Sequence, residues 1–306
     1  IGLQVAIAAV RLGCAEVILL NRPSARARDA EKGLRSLAEK VWATNAADPK
    51  AKKPNHGKKT AVRTVPCNLL SFESVKQAAG AVAAAVGPLG GLDVLCCNAG
   101  IYCGEDLRTP DGFDITAAVS HLGHFLLTRE LLPSLSRAAK MRGQSRVVQH
   151  HSGARNGVRL DEDSNPACAF SGHYEPERYL AASQPGTLGG DGPNARFPRY
   201  RQAKLSQALF AMELDRRLRA CGIKGKSRIK SLSAEPGLVK TNLGVNFLST
   251  FPALSPFRVL IPLLFPLPEA QPVSHGAVPL VRACFDPAAQ SGDLWMHQSW
   301  VRGKTP

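Results

Sequence analysis

The sequence predicts an α/β fold in which a doubly wound parallel sheet is flanked by helices. Strand-like and helix-like stretches alternate along the chain, which implies a parallel sheet covered by helices on both faces. In addition, 306 residues with 44% hydrophobic content suffice for one large core. We therefore expect a single domain over residues 1–306.

The predicted elements alternate from the first residues onward. The chain opens in a helical pattern, LQVAIAAVRLG, and the predicted strands then lie at 16–20, 60–65, 92–97, 145–150 and 228–234. The predicted helices lie at 27–41, 72–86 and 112–142, with a last one beginning at Tyr200.

The opening helix predicts that the chain is a fragment whose first strand is missing. Ile1-Gly2 lies directly before a helical pattern and no methionine precedes it. In a doubly wound fold, the turn after the first strand carries glycines that hold a dinucleotide pyrophosphate against the helix N-terminus. Gly2 would be the last of those glycines and a cofactor-binding residue.

The composition indicates which classes of partner and which cellular compartment to expect. The net charge is +15, but the densest basic stretch, residues 50–63, lacks interleaved aromatics, so we favour a solvated loop and expect no nucleic-acid partner. None of the eight cysteines forms a Cys-x-x-Cys motif, which indicates reduced, buried thiols and an intracellular protein of undetermined compartment. No apolar run reaches the ~20 residues of a membrane span, although residues 256–268 are apolar enough for peripheral membrane contact.

The motif that points to chemistry is Tyr200-Arg-Gln-Ala-Lys204. A lysine one helical turn after a tyrosine can favour the phenolate and lower the tyrosine pKa, so that the phenol exchanges a proton near neutral pH. The same spacing also describes any two neighbours on a helix face. The motif therefore gains its weight from the segments around it.

Together these segments resemble the short-chain dehydrogenase/reductase family, in particular its retinol-dehydrogenase-like and protochlorophyllide-reductase-like members. The resemblance runs from Ile1 to about Leu294 and rests on the following stretches: Ile1-Gly2, LDVLCCNAG at 92–100, DGFDITAAVSHLGHFLL at 111–127, RVVQHHS at 146–152, the Tyr200 motif, and PGLVKT at 236–241. It implies a Rossmann-type fold that binds NAD(P).

The resemblance implies roles for individual residues. Tyr200 is the acid/base, Lys204 lowers its pKa and holds the nicotinamide ribose, and Ser152 hydrogen-bonds the substrate oxygen. Ser120 stands at the position of the family's catalytic asparagine. The cofactor-binding positions are Gly2, Arg22, Asn68, Leu69, Asn98, Ala99, Gly100, Tyr200, Lys204, Pro236, Gly237, Val239 and Thr241.

Arg22 favours NADP(H) over NAD(H). It follows the second strand of the implied fold, where an acidic residue would bind the 2′-hydroxyl of NAD and an arginine accommodates a 2′-phosphate. An ordinary surface arginine is the alternative, since Arg26 and Arg28 lie nearby.

Two further segments are expected to shape the substrate site. Residues 155–199 contain an insertion, expected to form a flap, and residues 245–268 are expected to form a lid whose phenylalanines and leucines favour an apolar small molecule. Within the insertion, GTLGGDG at 186–192 has neither a preceding strand nor a following helical pattern, so we expect a flexible loop and no phosphate site.

Several residues depart from the family pattern. Ser120 replaces the asparagine, Cys97 the first asparagine of Asn-Asn-Ala-Gly, and Asn68 an aspartate near the adenine. The asparagine acts largely through its backbone carbonyl, which Ser120 could still provide. The alternative to an enzyme is a non-catalytic relative that retains the fold.

The remaining expectations concern the roles of three histidines and the oligomeric state. His121 and His124 have a spacing that metal sites use, but no acidic or cysteine cluster accompanies them, so we expect packing and no metal. His151 could tune substrate choice. The resemblance also implies a possible homodimer through the helices that contain His124 and Tyr200.

Overall fold

The computed structural model describes residues 1–47, 57–102, 104–157, 174–175, 177, 184, 186–221, 228–240, 270–296 and 302–304. Its strands are β1 (Glu16–Asn21), β2 (Ala61–Pro66), β3 (Val94–Cys97), β4 (Ser145–His150), β5 (Ile229–Glu235), β6 (Asp293–Met296) and β7 (Arg302–Lys304). Its α-helices are α1 (Gly2–Arg11), α2 (Ala25–Ala47), α3 (Phe72–Val86), α4 (Ile115–Ala117), α5 (Gly123–Arg142), α6 (Pro193–Ala220), α7 (Val273–Gly276) and α8 (Val278–Phe285). A π-helix, Ala118–Leu122, joins α4 to α5, and a 3₁₀ helix, Gly153–Gly157, follows β4.

The strands form two hydrogen-bonded sheets. Strands β1 and β2 pair in parallel. The second sheet has the order β3-β4-β5-β6-β7, parallel except for the antiparallel β7. The prediction of a strand ahead of Ile1 stays a prediction.

Helices cover both faces of the larger sheet because neighbouring residues of each strand point to opposite sides. In β4, Val147 packs with the core cluster that contains residues of α3 and α5, and Val148 packs with the cluster that contains residues of α1 and α8. Both valines are fully buried. A third cluster lies between β1, β2, α1 and α2. The predicted α/β fold with parallel strands flanked by helices is confirmed.

Local signals explain the well-predicted helix α3. The side chain of Ser71 accepts a hydrogen bond from the Ser74 backbone N–H at 3.3 Å and caps the first turn. Gly87 ends the helix with φ of 69°, a conformation that favours glycine. Both ends agree with the predicted range 72–86.

The last predicted helix has the wrong start. We predicted that it begins at Tyr200, but α6 begins at Pro193, so Tyr200 lies two turns inside it. A proline at the first helical position is favourable because its missing N–H has no intrahelical partner there. Residues 193–199 of the predicted flap are therefore helical, and much of the rest, including 158–173, lies outside the described residues, as does the predicted lid at 245–268.

The cysteines of the described segments differ in their exposure. The six cysteines of the described segments carry no disulfide, and Cys67, Cys97 and Cys284 are buried whereas Cys221 is exposed. Cys221 is exposed because it immediately follows the last turn of α6. Among these segments, no helix has the length and apolar character to cross a membrane.

Candidate active site

The predicted site residues follow the carboxyl ends of adjacent parallel strands. Asn98 follows β3, Ser152 comes two residues after β4, and Pro236 follows β5. In open α/β sheets, ligands bind in the crevice beyond this edge. The topology therefore brings together segments that are up to 138 residues apart.

Tyr200 and Lys204 lie one turn apart on α6 and are both buried. The Lys204 ammonium nitrogen is 5.9 Å from the centroid of the Tyr200 ring. It donates hydrogen bonds of 3.0 Å to the carbonyl oxygen of His150 and to Gln207 Oε1. Burial lowers the Lys204 pKa to about 8. The Lys204 side chain is thus held beside the tyrosine.

Ser120 and Gly100 converge on the same place. A Cβ atom added to Gly100 would lie 3.5 Å from Lys204 Nζ and 3.8 Å from Ser120 Oγ. Ser120 is fully buried within the π-helix, and its hydroxyl has no hydrogen-bond partner among the described residues. π-Helical turns occur frequently at functional sites. Ala99 lies beside Gly100 in the same loop.

Ser152 is held by the first turn after β4. Its hydroxyl oxygen accepts a hydrogen bond from the Ala154 backbone N–H at 3.3 Å. Buried Arg155 donates to the Ser152 carbonyl at 3.2 Å and forms an ion pair with Glu235 at the end of β5. The 3₁₀ helix after Ser152 packs against α6, which carries Tyr200.

Sequence reasoning missed Arg155 and Glu235 as supports of Ser152. The two residues lie 80 positions apart, and only the parallel pairing of β4 with β5 brings them together. No local pattern could have identified this pair. Its signal in the sequence is only that each residue closely follows or ends a predicted strand.

Gly2, Asn98 and His150 form a second contact group. A Cβ atom at Gly2 would lie 2.6 Å from Asn98 Nδ2, so a larger residue here would displace the Asn98 side chain. Asn98 Oδ1 lies 3.0 Å from His150 Nδ1. Burial, and then the Lys204 charge, lower the His150 pKa to about 3, which keeps this imidazole neutral.

The loop after β5 is paired with the segment before α7. Gly237 has a φ of 71°, which favours glycine, and Val239 forms a parallel bridge with Gln271. The Gln271 N–H donates to the Leu238 carbonyl at 3.0 Å. Pro236 and Val239 therefore lie in a fixed loop, and the predicted cofactor residue Thr241 lies outside the described residues.

The remaining predicted cofactor residues lie on the β1–β2 side. Asn68 makes a local turn, in which its side-chain oxygen accepts from the Leu70 N–H at 3.2 Å, and Leu69 packs close to Gly123 at the start of α5. Arg22 is exposed and directly follows β1. The structure does not bring these three side chains into contact with Tyr200, Lys204 or Ser120.

An aromatic cluster beside Tyr200 was not predicted. The Tyr102 ring lies 4.7 Å from the Tyr200 ring in an edge-on arrangement, and the Phe197 ring lies 6.5 Å from it in a stacked one. Phe197 is one turn before Arg201 on α6, and the Arg201 guanidinium lies 4.3 Å from the centre of its ring. The cluster gives the tyrosine an apolar neighbourhood.

His121 lies in the π-helix and His124 near the start of α5. Burial lowers the His121 pKa to about 4 and the His124 pKa to about 3, so both rings are neutral. In the part of the chain that the structure describes, no group of three or more histidines, cysteines or acidic residues is arranged to hold a metal. His151 is fully buried, and its role in substrate choice stays a prediction.

Comparison with known proteins finds relatives in one family. The short chain dehydrogenase family model matches residues 30–158. The chain is 35% identical over 158 residues to a short chain dehydrogenase/reductase, dpchH, of Colletotrichum higginsianum, covering 49% of this chain and 34% of that protein. It is 31% identical over 153 residues to human retinol dehydrogenase 13, covering 50% of this chain and 37% of the relative. These matches support a member of the short-chain dehydrogenase/reductase family.

Solved structures of the same fold extend over nearly the whole chain. The NADPH-dependent 3-quinuclidinone reductase of Rhodotorula rubra matches with a TM-score of 0.55 and 18% identity, over 96% of this chain and 84% of the other. The matched regions span less than half the length of the curated relatives above. These solved structures share the α/β fold with parallel strands flanked by helices.

The residues present fit a nicotinamide nucleotide. Gly100 leaves space beside Lys204 and Ser120 that a Cβ atom would reduce, since such an atom would lie 3.5 Å from Lys204 Nζ and 3.8 Å from Ser120 Oγ. Arg22 is exposed and directly follows the carboxyl end of β1.

Proposed function

We propose that the protein is an NADP(H)-dependent oxidoreductase that interconverts an alcohol and a carbonyl group on an apolar small molecule. The observation that carries the proposal is the buried Lys204 ammonium, 5.9 Å from the Tyr200 ring centre. The match to the short chain dehydrogenase family model and the position of both residues near the carboxyl ends of β3, β4 and β5 support it.

Tyr200 acts as the acid/base. In the reductive direction its phenol donates a proton to the substrate oxygen, and in the oxidative direction the phenolate accepts one. The Lys204 cation favours the phenolate because opposite charges attract strongly in a buried site. Ser152 donates a hydrogen bond to the same substrate oxygen and stabilises its developing negative charge.

The nicotinamide, when bound, supplies or accepts the hydride. Lys204 would hold its ribose, and the loops 98–100 and 236–241 would line the nicotinamide and ribose. Gly2 would lie against the pyrophosphate, Asn68 and Leu69 beside the adenine, and Arg22 at the 2′-phosphate.

Two observations support an apolar substrate. Tyr102 and Phe197 place aromatic rings against Tyr200. The predicted lid at 245–268, which lies outside the described residues, is rich in phenylalanine and leucine.

The cofactor preference is tested by Arg22→Asp in the full-length protein. Loss of a charge-assisted hydrogen bond, worth about 1.5–3 kcal/mol, should raise the Kd for NADPH at least about tenfold and leave the Kd for NADH nearly unchanged. Arg28→Asp is the control, because Arg28 is exposed on α2 and undergoes the same charge change. Equal effects on both nucleotides would contradict the preference.

The departures at Ser120, Cys97 and Asn68 motivate the non-catalytic alternative. The NADPH titration, together with a turnover assay, tests it. NADPH binding without turnover of any alcohol or aldehyde in a broad panel would support that alternative and overturn the proposed activity.

A further inference from the structure

The backbone of the glycine-rich stretch GTLGGDG forms hydrogen bonds to a carboxylate side chain of the protein itself. We name residues 186–190 the glycine turn. The carboxylate of Asp106 accepts hydrogen bonds from the backbone N–H groups of Gly186, Leu188 and Gly190, at 3.1, 3.0 and 2.8 Å. Three backbone N–H groups of one turn thus converge on one carboxylate. The stretch predicted as a flexible loop is therefore a turn folded around a buried carboxylate.

A buried arginine, Arg199, forms hydrogen bonds to the carbonyl groups of the glycine turn. The Arg199 guanidinium donates to the carbonyl oxygens of Leu188, Gly190 and Gly104 at 3.0, 2.9 and 3.1 Å. Its side chain is fully buried, 3.8 Å from the Asp106 carboxylate and 3.9 Å from the Asp114 carboxylate. Both the N–H groups and the carbonyls of the turn are thus held by side chains from outside it.

These side chains connect the turn to the residues of the proposed site. Arg199 directly precedes Tyr200 in α6. Asp106 comes four residues after Tyr102, whose ring contacts Tyr200. Asp114 accepts a hydrogen bond from the Ala117 N–H at 2.8 Å and so caps the helical segment that leads to Ser120.

A merely stabilising role is a poor explanation for this arrangement. Well-packed apolar residues commonly replace buried ionic groups without loss of stability, because taking charges out of water is costly. Groups that hydrogen-bond in one geometry instead specify one arrangement of the segments that they join.

We propose that Arg199 and Asp106 are positioning residues for Tyr200. They fix the glycine turn against the start of α6, and this contact sets the orientation of Tyr200 toward the substrate. The inference rests on the proposed function, in which Tyr200 is the acid/base.

The first test is amide hydrogen exchange over the glycine turn in Asp106→Asn. One Asp106 oxygen accepts from Gly186 and the other from Leu188 and Gly190, whereas asparagine has only one accepting oxygen. Exchange should therefore accelerate at least about tenfold either at Gly186 or at both Leu188 and Gly190. Glu213→Gln is the matched control, because Glu213 is a surface carboxylate on α6 paired with Arg216 and Arg217. Unchanged exchange in Asp106→Asn would overturn the proposal.

The second test measures the environment of the Tyr200 ring by NMR. With ring-labelled tyrosine, the NMR signal of Tyr200, assigned by its loss in Tyr200→Phe among only four tyrosines, should shift or broaden in Asp106→Asn and in Arg199→Lys. Because this reading needs no turnover, it remains decisive even if the proposed activity fails. A native Tyr200 signal in both variants would overturn the positioning role.

Where turnover is measurable, kcat should fall at least about tenfold in both variants while the KM for NADPH changes less than about twofold. Arg199→Lys retains the charge but loses the planar fork that reaches several carbonyls at once. Should Arg199→Lys not fold, Asp106→Asn alone supplies all three readings. Native kcat together with accelerated exchange would also overturn the positioning role.

Discussion

At the scale of single residues, the candidate site contains a buried lysine whose charged form is disfavoured by desolvation. Lys204 is buried, and its ammonium is held by the His150 carbonyl and Gln207 Oε1. Its pKa falls from the ordinary 10.5 to about 8. A lysine on the surface would not incur this desolvation, so the burial is consistent with a role beside Tyr200.

This burial predicts a particular pH dependence of stability. Between about pH 8 and 10.5 the folded protein binds fewer protons at Lys204 than the unfolded chain does, so the contribution of Lys204 to stability rises with pH in that window. The unfolding free energy of the native protein relative to Lys204→Met should increase by about 2 kcal/mol from pH 7 to pH 9.5. Denaturant titrations at the two pH values measure it.

Lys140→Met, at an exposed position of α5, is the control and should show no such change relative to the native protein. A difference between native protein and Lys204→Met that stays constant across the range would show that the folded lysine is not perturbed.

Residues were predictable where their signal is local. Tyr200, Lys204 and Gly100 belong to short motifs whose spacing reflects one helix turn or one loop, and the structure brings Gly100 close to Lys204. Asp106 and Arg155 were missed because their partners lie 80 or more positions away. Such partners are defined by the tertiary fold and leave no pattern in the sequence.

At the scale of elements, the π-helix Ala118–Leu122 lies within the candidate site. It interrupts the long predicted helix 112–142 and contains the buried Ser120. Sequence periodicity did not reveal it, because a single π turn differs from an α turn by only one residue. Strand β6 was also missed, since its four residues are too few for a clear pattern.

The π-helix predicts that the backbone at residue 120 matters more than its side chain. Since the Ser120 hydroxyl has no partner among the described residues, Ser120→Ala should keep kcat within about threefold of the native value. Its effect on stability should also be smaller than that of Ser231→Ala, in which a buried hydroxyl loses a 2.8 Å hydrogen bond to the Ala211 carbonyl, worth about 1 kcal/mol.

Steady-state kinetics and thermal unfolding of the two variants provide the comparison. A hundredfold loss of kcat in Ser120→Ala would mean that the hydroxyl itself takes part in the chemistry.

At the scale of the whole molecule, the doubly wound arrangement explains why distant motifs form one site. Parallel strands place their carboxyl ends at one edge, so the segments after β3, β4 and β5 meet there. Alternation of strands and helices was enough to predict this edge. The split into two sheets was not predictable, because periodicity identifies strands and does not determine which strands pair.

The homodimer, the single domain over 1–306 and the intracellular compartment stay predictions at this scale. Sedimentation of the native protein would test the first of them.

The most direct test of the proposed activity is the turnover of Tyr200→Phe in the full-length protein, measured with NADPH or NADP and a panel of apolar alcohols and carbonyl compounds. Loss of the acid/base should lower kcat at least about a hundredfold while the Kd for NADPH stays within about threefold. Tyr174→Phe is the control, since it removes a phenol that pairs with Ser206 at 2.9 Å on the same helix and should keep native kcat. Native turnover in Tyr200→Phe would contradict the assignment of Tyr200 as the acid/base.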